Sequence, residues 1–99
     1  MGNKTMSRSP SKEELLAIES AFAECGFGDV EVVDRLRDVQ LDCLEEGDLH
    51  FVGTCFAEEP GAENSFRVSF HCLLNPKGQV VSAYAYDVRS GNEIAFLAA

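Results

Sequence analysis

The sequence predicts an α+β domain, with one N-terminal helix packed on an antiparallel meander of four to five strands. Three observations predict it. Apolar residues at helical spacing occur once in good order, at Leu15, Ile18, Phe22 and Cys25. Beyond residue 38 the apolar residues recur at every second position instead, the strand period. The links between those runs are hairpin-length turn signals, and no βαβ unit occurs. Ninety-nine residues suffice for one core. Residues 11–99 read as a single domain behind a polar, disordered tail, 1–10.

The helix is signed at both ends. Ser11-Lys12-Glu13-Glu14 is a capping box, with the Ser11 hydroxyl accepting from the Glu14 amide and the Glu14 carboxylate reaching back. Glu13 and Glu14 also suit the positive end of the helix dipole. Ala21 lies beside the apolar stripe, and Glu19 and Glu24 fall on the wet face. Gly26 is placed to take a left-handed position after the helix, with Phe27 folding back on the last turn.

Val30–Arg37 reads two ways. Val30, Val33 and Leu36 step like a short helix, whereas Glu31-Val32-Val33 has β-branched strand character. The strand reading is preferred, with a bulge near Asp34–Asp38. Val39, Leu41 and Cys43 then alternate with Gln40 and Asp42. The next strand, from Leu49 to Phe56, is apolar on much of both faces.

Asn75-Pro76-Lys77-Gly78 suits a type I turn with Gly78 as a left-handed bulge residue. That turn predicts the pairs Leu74–Val80, Cys72–Ser82, Phe70–Tyr84 and Val68–Tyr86 on the helix side. It predicts Leu73–Val81, His71–Ala83, Ser69–Ala85 and an Arg67–Asp87 ion pair on the reverse. A turn at Arg89-Ser90-Gly91-Asn92 leads to a last short strand, Glu93–Leu97. The order of helix and meander is similar to that of cystatin-like folds, a likeness of topology with no motif behind it.

Composition narrows the function classes. Seventeen acidic against eight basic residues give −9, and because Lys4, Arg8 and Lys12 lie in the first dozen, residues 13–99 carry −12. Direct nucleic-acid binding and adhesion to anionic membranes are therefore not expected. No apolar run approaches the roughly 18 residues of a membrane span, and the polar start has no secretory apolar segment. A cytoplasmic protein is expected, with Cys25, Cys43, Cys55 and Cys72 as reduced thiols packed like small apolar residues.

No motif for chemistry emerges. The cysteines lack paired zinc-ligand spacing, so neither metal nor cofactor is expected. The sequence contains no nucleophile elbow, P-loop or dinucleotide fingerprint. No catalytic residue is assigned. His71 and Ser69 share a strand face, but the predicted register sends Tyr84 and Tyr86 to the other one.

Two features remain. Acidic residues cluster around turn signals at Asp42, Glu45, Glu46 and Asp48, and again at Glu58, Glu59 and Glu63; they are the expected contacts for a basic partner. The second sheet face, with Phe56, Ser69, His71, Leu73, Val81 and Ala83, is the expected contact for a partner or a second copy. Ile94, Phe96 and Leu97 are the segment that would otherwise cover it. The expectation is a non-enzymatic, acidic interaction protein that modulates or inhibits a macromolecular partner, one with a basic, nucleic-acid-handling surface. The alternative is a dimeric ligand-binding or enzymatic cone of cystatin-like topology, with its site near His71.

Overall fold

The computed structural model describes residues 8–28, 30–45, 47–61 and 64–98. Its elements are α1 (Lys12–Glu24), β1 (Glu31–Val32), β2 (Arg37–Glu45), β3 (Asp48–Glu58), β4 (Ser65–Leu74), β5 (Val80–Asp87) and β6 (Glu93–Ala98). The predicted α+β architecture forms, with six strands. β3, β4, β5 and β6 follow one another as an antiparallel meander, and β1 and β2 share the remaining edge of β3. Of the expected tail, residues 1–7 lie outside the described residues. The Arg8 carbonyl accepts from the Leu41 N–H at 2.7 Å, along the outer edge of β2.

The capping box forms as the sequence requires. The Glu14 amide donates to the Ser11 hydroxyl at 3.1 Å, and the Ser11 amide donates to the Glu14 carboxylate at 2.8 Å. Arg8 completes the arrangement with a guanidinium–carboxylate pair to Glu14 at 2.9 Å. The C-terminal expectation is corrected. Cys25 ends the helix in an extended conformation, its N–H shared between the carbonyls of Ala21 and Phe22, and the left-handed residue is Gly28 rather than Gly26. Phe27 still returns, edge-on to Phe22 at 5.5 Å. Phe22 in turn meets Phe70 of β4 edge-on at 5.1 Å, which seats the helix on the sheet.

The ambiguous stretch is strand, break, strand. β1 pairs Glu31 with Glu58 and Val32 with Ala57, and β2 begins only at Arg37 opposite Thr54. The register shifts between Arg37 and Gln40, where Asp38 takes a left-handed φ of 56°. The interruption lets Leu36 turn inward and become buried. Gly53 makes room for it: a Cβ there would stand 2.8 Å from Leu36 Cδ1 and 2.9 Å from Val39 Cγ2.

The β4–β5 hairpin starts as predicted and then departs. Gly78 has φ +84°, its N–H reaches the Asn75 carbonyl at 2.8 Å, and Leu74 pairs with Val80. A further shift follows, because Leu73 pairs with Ser82 and Val81 is an extra residue on β5. From there the register is one residue off the expected one: Phe70 opposes Ala85, His71 opposes Tyr84 and Ser69 opposes Tyr86. A one-residue slip exchanges the faces of every later residue. Ala83 and Ala85 are therefore fully buried on the helix side, and Tyr84 and Tyr86 lie on the reverse. Volume explains the choice. Two tyrosines between helix and sheet would need space already filled by Phe22, Phe70 and Ile18, and would bury two phenols; alanines fit.

Two other expectations change with the slip. Asp87 stands opposite Val68 and is buried, and its partner is Arg89 (2.8 Å) instead of Arg67. Ile94, Phe96 and Leu97 do not fold over the second face. They belong to β6, which extends the sheet beside β5 and pairs Phe96 with Tyr84.

The core is the space between α1 and the sheet. It holds Ile18 and Ala21 from the helix, Phe51 and Cys55 from β3, Val68, Phe70, Cys72 and Leu74 from β4, and Ala83 and Ala85 from β5. Burial pushes the Cys55 thiol up to about 11 and the Cys72 thiol up to about 12, so both stay protonated at neutral pH.

Candidate functional site

The reverse face of the sheet carries a polar constellation, which the slip completes with Tyr84 and Tyr86. Val52 of β3, His71 of β4, Tyr84 of β5 and Phe96 of β6 form one row across the strands. Thr54, Ser69 and Tyr86 form the next. His71 sits at the centre. Its ring stacks on Tyr84 with centroids 4.7 Å apart and on Tyr86 at 5.2 Å. Its Nδ1 lies 2.9 Å from His50 Nε2, and its Nε2 lies 2.9 Å from the Ser69 hydroxyl. His50, itself buried, faces Asp42 through its other nitrogen at 3.6 Å.

These contacts set the state of His71. Its pKa falls below the ordinary histidine value mainly because burial penalises the cation; the neighbouring His50 adds to this, and Asp42 opposes it. At neutral pH His71 is an uncharged ring held between a hydroxyl and a second imidazole. The chain Ser69–His71–His50–Asp42 has the order of a nucleophile, a base and its orienting partners. Yet Ser69 lies in mid-strand, and its neighbouring amides belong to the ladders with β3 and β5. They are therefore not free to donate to a developing oxyanion, the stabilisation on which acyl transfer most depends. The cluster orients the rings of His71, Tyr84 and Tyr86 on the reverse face of the sheet.

The second-face residues named from sequence divide accordingly. Ser69 and His71 are in the cluster, Leu73 is half-buried between His50 and Ser82, and Phe56 is half-buried opposite Arg67. Ala83 is corrected to the core, and Val81 is the extra residue of the β5 shift. Tyr84, Tyr86 and the His50–Asp42 contact are what sequence reasoning missed. The missed signal is the alternation Ala83-Tyr84-Ala85-Tyr86, in which the small residues mark the side a helix can approach.

The acidic residues do not form one patch. Asp48 begins β3 and Glu58 ends it, about 33 Å apart at the usual rise. Asp42 is exposed near the first end, where Glu45 closes β2; Glu46 lies outside the described residues. At the other end Glu58 stands opposite Glu31, and Glu59 shares Arg89 with Asp87. Glu63 lies outside the described residues. Carboxylates thus stand at both ends of the aromatic face. Among the described residues no three His, Cys, Asp or Glu side chains converge as a metal cluster, and no helix is long and apolar enough to cross a membrane.

The chain matches no family model, no curated protein and no solved structure.

Proposed function

We propose that this protein is a small non-enzymatic interaction protein that binds a basic protein partner through the reverse face of its sheet and thereby modulates or blocks it. The observation that carries this reading is that face itself: among the described residues the only helix lies on the other side, leaving His71, Tyr84, Tyr86, Val52 and Phe96 toward a partner. Aromatic side chains are the residues that supply binding energy at low entropy cost. Guanidinium groups stack well on such rings. Carboxylates at both ends of the face and a net charge of −9 favour a partner with basic margins, such as a nucleic-acid-handling surface.

The test is capture of partners from source-cell lysate by the tagged protein at about 50 and 300 mM salt, which spans strong to weak electrostatic attraction. Phe96 and Leu16 are equally exposed (60% and 59%), one on the proposed face and one on the helix. Phe96→Glu should abolish capture and Leu16→Glu should leave it, with retention falling at high salt. Capture that survives Phe96→Glu would end this reading.

The ligand-binding reading gains one observation. Tyr84 and Tyr86, expected on the helix side, join His71 and Ser69 on a single surface. A small-molecule thermal-shift screen that depends on His71 would support it.

A further inference from the structure

We propose that the facing imidazoles of His50 and His71 bind one divalent transition-metal ion of the zinc–copper class. This is independent of the partner-binding reading. Three features of the pair point to it. First, His50 Nε2 and His71 Nδ1 face each other at 2.9 Å from adjacent strands of a paired sheet, so two donors are already brought together without a loop to order.

Second, the outer nitrogens have the partners that metal-bound histidines use. The His50 Nδ1 faces the Asp42 carboxylate at 3.6 Å, and the His71 Nε2 lies 2.9 Å from the Ser69 hydroxyl. A ligating histidine typically gives its other N–H to a carboxylate or similar acceptor, which fixes the tautomer and makes the ligand more basic. With both outer nitrogens protonated, both inner lone pairs are directed into the gap. With His50 Nδ1–H turned to Asp42, the proton in the metal-free gap is the one on His71 Nδ1. Metal entry moves this proton to Nε2, where the Ser69 oxygen accepts it, and no net proton is released.

Third, the spacing fits. The two ring centroids are 5.1 Å apart. Two imidazoles on one tetrahedral ion, at Zn–N of about 2.0–2.1 Å, place their centroids roughly 5.2 Å apart and their nitrogens roughly 3.3 Å apart. The rings need only pivot about their centres, and the strands need not move. Two protein donors are fewer than the three or four of closed sites, so water fills the remaining positions. Imidazole donors select copper, nickel and zinc over magnesium or calcium.

The experiment is calorimetric titration of the chelator-treated full chain with Zn2+, Cu2+ and Mg2+, alongside NMR of the histidine ring protons. One Zn2+ per chain should bind, Cu2+ more tightly, and Mg2+ not at all. Both histidine ring signals should shift and saturate at one equivalent. His71→Ala should abolish the binding, and Asp42→Asn should weaken it by about tenfold, with circular dichroism confirming the fold of each. Ring signals of the unaltered protein that stay put under Zn2+ would overturn the proposal, whatever the variants do. Binding that survives His71→Ala, as on a cysteine, would also overturn it.

Discussion

His71 and Tyr84 lie ring on ring, their planes 1° from parallel and their centroids 4.7 Å apart, as direct cross-strand neighbours. Neither residue could reach the other in the register that the turn alone implies. The extra residue at Val81 brings them together, and sets Tyr86 beside them on the reverse face. Small side chains beneath the helix and a polar aromatic surface on the far side are thus one decision of the chain.

That decision is measurable through stability. Ala85 is fully buried beneath the helix, whereas Tyr86 is half-buried on the reverse face. Ala85→Leu should destabilise the fold by about 1–3 kcal/mol, the usual cost of overpacking. Tyr86→Leu should cost less in urea unfolding. The opposite order would restore the register predicted from the turn.

Gly53 is reserved for Leu36 and Val39. Gly53→Ala should cost about 1 kcal/mol, at the low end for overpacking because the opposing atoms are side-chain ends that can shift. The cost should shrink in a Leu36→Ala background, since neighbours that share a space are not additive. A double-mutant cycle in chemical denaturation reads this coupling.

Acid should loosen the protein through carboxyls held below their ordinary pKa, Glu14 and Asp87 among them. The Arg8 guanidinium, with the Ser11 amide, holds Glu14 below its ordinary pKa, and Arg89 does the same for Asp87. As the pH falls the unfolded chain takes up these protons first. The stabilisation is therefore complete above the ordinary carboxyl values of about 4 and drains away as pH falls through the lowered ones. Glu14→Gln and Asp87→Asn should each flatten the fall in melting temperature below about pH 4.

Cys55 and Cys72 should be inert while the protein is folded. Their thiols stay protonated up to about 11 and 12, and neither has any exposed surface. Iodoacetamide at pH 8 should leave the peptides carrying both cysteines unmodified until denaturant is added, as mass spectrometry would show. Prompt labelling of Cys72 would mean that the helix–sheet core opens readily.

The elements were legible wherever local chemistry decides them. Ser11 and Glu14 start the helix, and Asn75 and Gly78 start the hairpin, because capping and turn geometry act over three or four residues. The helix end at Cys25 and the interruption before Arg37 were harder, since Leu36 turns inward only because Gly53 lies across from it. The site was the least legible part. Ser69 and His71 could be placed on one face from strand period alone. Tyr84 and Tyr86 joined them through a bulge whose cause is the volume under a helix some sixty residues earlier in the chain, whereas His50 meets His71 across the unshifted β3–β4 ladder.

β6 closes the order of the sheet, and in Glu93–Ala98 only Glu93 is charged. Phe96 stands exposed along it. Such a margin is a template on which another extended chain can add, and like-charge repulsion between whole molecules opposes that addition by a second copy. That protection vanishes near the isoelectric point of about 4.5. Mild acid therefore favours edge-to-edge pairing of two copies along this last strand, an isologous contact that closes at a pair.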